Sequence, residues 1–215
     1  MTDPDLDKAY ALQTPDDNRK LYADWADSYD TGFAKDMDYQ LPRLVALVLA
    51  EVYQGPGPVL DLGAGTGLIA DHMLMRGTMA IDALDISPQM LATAASKGHY
   101  RQMIEADLTK RLDISDATYD AVVSSGTFTH GHVGPDALDE VIRIARPGAT
   151  FVLTINAEHF EARGFAAKFE QLAPRIADVE HRQVNIYGGK ASDEHRDDKA
   201  HIAIFRKRYS VPPLT

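Results

Sequence analysis

The sequence has 215 residues, 45% of them hydrophobic and 25% charged, with 22 Lys+Arg set against 32 Asp+Glu for a formal charge of −10. That length suits a single core burying roughly 70% of the extended-chain surface, and the acidic balance argues against nucleic acid, whose binders draw most of their affinity from phosphate contacts. The absence of cysteine excludes disulfides, thiolate metal sites and cysteine nucleophiles.

Along the chain, "MTDPDLDK" shows no basic segment followed by an apolar one, so no signal peptide is expected. Thr14 followed by Pro15 starts a helix through "PDDNRKLYADWADSYD". Leu44, Val45, Leu47, Val48 and Val52 define a second, apolar helix, whose run "LVALVLA" is too short to span a bilayer. These two helices are expected to form an N-terminal cap over residues 1–54, packed on a main domain of residues 55–215. The main domain alternates strand and helix patterns, the signature of an α/β fold with a parallel sheet. Strands are expected at 58–62, 79–85, 100–106, 119–125 and 150–156. Helices are expected at 67–76 (closed by Gly77), from Ser87 and Pro88 to Lys97 and Gly98, from Pro135 to Ala145, and at 158–173. "RPG" at 146–148 separates a helix from a strand, and "HRQVNIY" and "HIAIFRKRY" alternate like an antiparallel pair. The basic "FRKR" at 205–208 reads as the solvated face of a strand.

The strand at 58–62 runs into "VLDLGAGTG", in which Gly63, Gly65 and Gly67 keep a two-residue spacing behind Asp61. Strand, glycine turn and helix together offer backbone N–H groups and close approach to a ligand. The dinucleotide fingerprint G-x-G-x-x-G fails here because position 68 is Leu. Asp85 closes the second strand, where a carboxylate can accept from both hydroxyls of a ribose and would repel a 2′-phosphate. Asp107 closes the third and could accept from an adenine amino group. All three features fall at the ligand-binding edge of a doubly wound sheet.

With these residues in place, the sequence resembles the class I S-adenosylmethionine-dependent methyltransferase superfamily. The resemblance covers about residues 15–160 and rests on "VLDLGAGTG", "ALDISPQML", "EADL", "YDAVVSSG" and "ARPGATFVLT". "LYADWADSYD" at 21–30 is similar to the Y-x-x-W-A-x-x-Y-D stretch of Williams–Beuren-region methyltransferase-like proteins. The resemblance implies a Rossmann-like, doubly wound, mostly parallel seven-stranded sheet with an antiparallel last strand. It also implies S-adenosylmethionine as cofactor, with S-adenosylhomocysteine as product. By position, Gly63, Gly65 and Gly67 would pass beneath the methionine and ribose, with Asp61 ordering the turn. Asp85 would hold the ribose, Ile86 would face the adenine, and Asp107 and Leu108 would meet its amino group and ring. Ser124, Ser125 and Gly126 would flank the sulfonium, and Tyr22 and Tyr29 would reach the methionine end from the cap. Trp25 reads as core.

His130 and His132 in "THGHVG" follow the fourth strand. His130 is the candidate general base, since imidazole titrates near neutrality; the pair has no third residue at metal-ligand spacing. "SSGT" stands where amino-methylating enzymes carry an acidic or amide residue followed by two prolines, which makes DNA a poor substrate. The segments 127–134, 156–165 and 188–200, together with the cap, are expected to shape an acceptor pocket. The expected activity is cytoplasmic methyl transfer to a small oxygen, nitrogen or sulfur nucleophile by a monomer or homodimer, without nucleic acid or membrane. The rivals are a non-catalytic S-adenosylmethionine-binding or partner module and a nicotinamide oxidoreductase.

Overall fold

Val59–Leu62 (β1) is buried at every position, as a strand covered on both faces must be. In the computed structural model, which describes residues 14–73, 79–191 and 195–209, β1 is joined by β2 (Ile81–Asp85), β3 (Gln102–Glu105), β4 (Tyr119–Phe128), β5 (Ala145–Asn156), β6 (Ile176–Asn185) and β7 (Lys199–Lys207). These form one seven-stranded sheet in the order β3-β2-β1-β4-β5-β7-β6. Pairing is parallel from β3 through β5, and β7 runs antiparallel to both β5 and β6. This is the Rossmann-like sheet with an antiparallel last strand expected from the sequence.

Alternation along the strands divides the core between two faces. Leu60, Leu62, Val122 and Phe151 point to one, where α5 (Ala137–Ile144) buries Leu138, Val141 and Ile142 and α7 (Phe165–Leu172) buries Phe165 and Phe169. Val59, Ala121, Val123 and Val152 point to the other, against α2 (Leu41–Val52) and α3 (Leu68–Met73). α2 is therefore a covering helix of the sheet itself, and the segment lying apart from the sheet ends near Gln40. On the β2 side, Ser87 caps α4 (Pro88–Ser96) by accepting the Met90 N–H at 3.3 Å.

Several boundaries differ from expectation, each for a local reason. The expected helix at 158–173 is two, α6 (Ala157–Ala162) and α7, because Gly164 is left-handed (φ +77). β5 begins at Ala145, with Arg146–Gly148 absorbed by a register shift between the Tyr119↔Ala145 and Ala121↔Thr150 pairs. β6 begins at Ile176, five residues before "HRQVNIY", through an irregularity around Asp178 (φ +54). Gly77, expected to close the helix after the glycine turn, lies outside the described residues.

The N-terminal segment begins with α1 (Pro15–Trp25), opened by a capping box in which Thr14 and Asp17 bond reciprocally. A π-helical turn, Asp30–Ala34, follows. Asn18 donates to the Gly131 carbonyl at 2.8 Å and Arg19 to that of Ile86 at 3.2 Å. Asp30 accepts from the Thr66 hydroxyl and from Lys97. Tyr39 pairs with Tyr187 in an antiparallel bridge, flanked by Gln40 N–H to Ile186 O and Gly188 N–H to Asp38 O, both 2.9 Å. The segment is thus fastened at four places around the carboxyl ends of the strands.

Candidate functional site

The chain winds from β1 to β3 on one side and returns to β4 on the other, so the sheet order reverses between β1 and β4. Crevices form at such switch points, and a cleft of about 950 Å³, partly open to solvent, lies there. Its floor is the turn after β1. Gly63 and Ala64 donate to the Leu84 carbonyl at 2.7 and 3.0 Å, which folds the turn back over β2. Gly63 (φ +67) abuts Thr127, whose hydroxyl donates to Leu62 O at 2.9 Å, so a Cβ would strike that side chain. Gly65 (φ +54) differs: a Cβ there would meet nothing within 4 Å, because it would point into the cleft.

Asp85, at the end of β2, fixes this turn. One carboxylate oxygen accepts the Gly65 N–H at 2.8 Å and the other the Ser87 N–H, also at 2.8 Å. Burial raises its carboxyl above the ordinary range, with bonds from Ser87 and Gly65 opposing that rise. Each oxygen has two acceptor sites, so the carboxylate can still take hydroxyl donors from the cleft. Ile86, Met90, Ala106 and Leu108 form an apolar slot beside it. A bare glycine turn, a buried acceptor and an apolar slot fit the ribose and base of an adenosine.

The other expected residues divide. Tyr22, Tyr29, Ser125 and Gly126 line the cleft, whereas Asp61, Gly67, Asp107, Ser124 and His130 are not among its lining residues. Asp61 is fully buried beneath the turn and accepts the Tyr100 hydroxyl at 2.7 Å. Burial pushes its carboxyl up to about 7, opposed by the Tyr100 bond and aided by the charge on Asp85. Gly67 gives room to the Tyr100 ring, which a Cβ would meet at 2.9 Å. Asp107 accepts from the Thr109 N–H (2.9 Å) and hydroxyl (2.6 Å) and pairs with Lys110 at 3.1 Å; it shapes the turn that carries Leu108 and Thr109 to the cleft wall. Ser124 is buried and donates to Leu62 O at 2.8 Å. His130 faces Glu158 at 3.6 Å and the ring of His159.

A second cavity of about 530 Å³ adjoins the first. Tyr22, Tyr29, Tyr39, Gly126 and His132 line both and mark where the two meet. Trp25 is buried, as expected of core, and also borders this second space. Tyr39, whose hydroxyl lies 3.1 Å from that of Ser125, was not apparent in the sequence. The aromatic spacing Tyr22, Trp25, Tyr29, Phe33 is the signal that points toward it. Among the described residues, no cluster of three His, Asp or Glu side chains could hold a metal ion, and no helix is long and apolar enough to cross a membrane.

Residues 60–153 match the methyltransferase-domain family. The chain is 33% identical over 146 residues to methyltransferase-like protein 27 of Homo sapiens, covering 65% of this chain and 59% of that protein. It is 32% identical over 150 residues to a demethylmenaquinone methyltransferase of Renibacterium salmoninarum, covering 69% and 62%. The chain thus spans about three fifths of the length of these two relatives. A TehB-like methyltransferase from Corynebacterium glutamicum superposes with a TM-score of 0.62 over 88% of this chain and 99% of its own, at 17% identity. That likeness shows the fold, to which S-adenosylmethionine is the cofactor implied by the family. Residues 60–153 thus carry the signature of the methyltransferase-domain family, on a fold shared with S-adenosylmethionine-dependent methyltransferases of known structure.

Proposed function

We propose that the protein transfers a methyl group from S-adenosylmethionine to a small-molecule oxygen, nitrogen or sulfur nucleophile. The observation that carries this reading is the junction of two cavities, one floored by the Gly65 turn and Asp85, the other walled by aromatic rings. A non-catalytic module needs no second space at that point. Bound S-adenosylmethionine supplies a methyl group already activated by its sulfonium, whose displacement leaves a neutral thioether.

The residues then have separable tasks. Gly63 and Gly65 let the backbone approach the cofactor, and Asp85 accepts from its ribose. Ile86 and Leu108 enclose the adenine, and Asp61 and Gly67 support the turn from below. Asp107 sets the turn that presents Leu108. Ser124 braces β4 against the end of β1, while Tyr22, Tyr29, Ser125 and Gly126 border the methionine end. The N-terminal segment, expected as a cap through residue 54, contributes Pro15, Asn18, Tyr22, Tyr29 and Tyr39 to the cavity walls, with Leu41 and Pro42 beyond it. Holding the nucleophile in line behind the methyl carbon can lower the barrier by about 7–11 kcal/mol, so positioning alone accounts for a large share of catalysis. The acidic charge of −10 supports a small-molecule acceptor over nucleic acid, and the cysteine-free composition supports a reducing compartment, the cytoplasm, for a monomer or homodimer. Similarity to a demethylmenaquinone methyltransferase also favours a small acceptor.

Incubation with methyl-labelled S-adenosylmethionine and a fractionated metabolite pool tests the reading. Label is expected in one small-molecule fraction. Cofactor binding with no labelled product in any fraction would favour the non-catalytic module.

A further inference from the structure

The second cavity encloses about 530 Å³ of empty space, part of it open to solvent. Its walls are rings: Phe33 stands 5.1 Å from Tyr29, 5.8 Å from Tyr39 and 6.1 Å from both Trp25 and Tyr187, centroid to centroid. Burial raises the Tyr39 phenol to about 12, against the bond to Ser125, so it stays protonated at neutral pH. Asp, Glu, Lys and Arg are absent from the described residues lining this space. A charged guest would lose its hydration with no counter-charge to replace it, and a cation would also face the sulfonium across the junction.

Four tyrosine hydroxyls, Thr129, Thr154, Asn156 and His132 supply the polar groups of the walls, and several are engaged. Thr154 accepts the Gly126 N–H at 3.0 Å, and Asn156 accepts the His159 N–H at 3.1 Å. His132 differs. It lines both cavities, and both its ring nitrogens are shielded from solvent without a hydrogen-bond partner. Burial, with His159 and His130 nearby, lowers its pKa to about 4. Tyr22, its other ring neighbour at 5.5 Å, adds no positive charge. The imidazole is therefore neutral and has an acceptor nitrogen to offer. A buried polar atom left unpaired carries a desolvation cost that a ligand donor would remove.

We propose that the second cavity seats an uncharged, planar acceptor bearing a hydroxyl or N–H donor, and that the His132 imidazole accepts that hydrogen bond and so selects for it. This rests on the methyl-transfer reading, because that reading makes the second cavity the acceptor site.

Calorimetry in saturating S-adenosylhomocysteine, which keeps probes out of the first cavity, tests it with four ligands of one shape: 2-naphthol, 2-methoxynaphthalene, 2-naphthoate and 2-naphthylmethylammonium. Both charged ligands are expected to bind at least about tenfold more weakly than 2-naphthol, from the cost of an unpaired buried charge. His132→Phe is expected to weaken 2-naphthol by about threefold to tenfold, the worth of one neutral hydrogen bond, and to leave 2-methoxynaphthalene unchanged. Equal or tighter binding of a charged ligand overturns the proposal, as does a 2-naphthol affinity indifferent to His132→Phe. The wild-type panel stands whether or not the variant folds. If S-adenosylhomocysteine binds and none of the four probes does, this inference alone falls; if S-adenosylhomocysteine itself does not bind, the methyl-transfer reading falls with it.

Discussion

Asp30 and Lys97, 67 positions apart, meet at 2.6 Å. Asp30 also accepts from Thr66 within the glycine turn, and Lys97 reaches Asp71 at 2.8 Å. Burial pulls the Lys97 ammonium down, but its bonds to Asp30 and Asp71 outweigh that and raise its pKa overall. One carboxylate thus ties the N-terminal segment both to the turn and to the end of α4.

Asp30→Ala should therefore loosen the N-terminal segment more than the sheet. A stability loss of about 1–2 kcal/mol is expected, since these groups are only partly shielded from solvent. Proteolysis should become faster at residues 26–40, with weaker cofactor binding. An unchanged cleavage pattern and affinity would show that the segment does not depend on this tie.

Asp85→Ala should weaken S-adenosylmethionine by about 1.5–3 kcal/mol, the worth of hydrogen bonds to a charged acceptor. Titration calorimetry checks it. An affinity equal to wild type would remove Asp85 from the site.

Two glycines of one turn should fail differently. Gly63→Ala sets a Cβ against Thr127 in a left-handed backbone, so a destabilisation of about 2–4 kcal/mol is expected from strain plus overpacking. Gly65→Ala meets no protein atom within 4 Å, which leaves about 1 kcal/mol of backbone strain, while its methyl intrudes on the cleft and lowers cofactor affinity. Chemical denaturation beside calorimetry separates the two; equal stability losses would contradict the placement of the turn.

Asp61 gives a pH signature. Its folded-state carboxyl, held near 7 by burial, lies above the unfolded value of about 3.9. The folded state therefore binds the proton more tightly, a contribution present below about pH 4 and lost as pH rises through about 7. Asp61→Asn removes the titration yet keeps an acceptor for Tyr100. Between pH 4.5 and 7.5 the variant is expected to gain stability relative to wild type in urea unfolding. A constant difference across that range would mean Asp61 is ionised throughout.

The sheet was legible because buried parallel strands are short apolar runs with little else to explain them, as in Val59–Leu62. The glycine turn and Asp85 were legible because each demands a residue type: no Cβ at Gly65, an acceptor at a strand end. What escaped depends on packing between distant segments. Leu44 to Val52 reads as an apolar helix, but only the fold shows that it covers the sheet. Gly164 breaks a helix that side-chain periodicity carries straight through. His130 and His132 share one loop of like composition, and the bend at 129–132 decides which ring reaches the cavities. Asp107 lies two residues beyond β3, where Thr109 and Lys110 bond its oxygens and it is not among the residues lining the cleft.

The central claim is that the Gly65 turn and Asp85 form an adenosine-sulfonium site, and competitive calorimetry with S-adenosylmethionine and NADH tests it most directly. S-adenosylmethionine is expected to bind one site per chain, with NADH unable to displace it. NADH binding more tightly than S-adenosylmethionine would contradict the account.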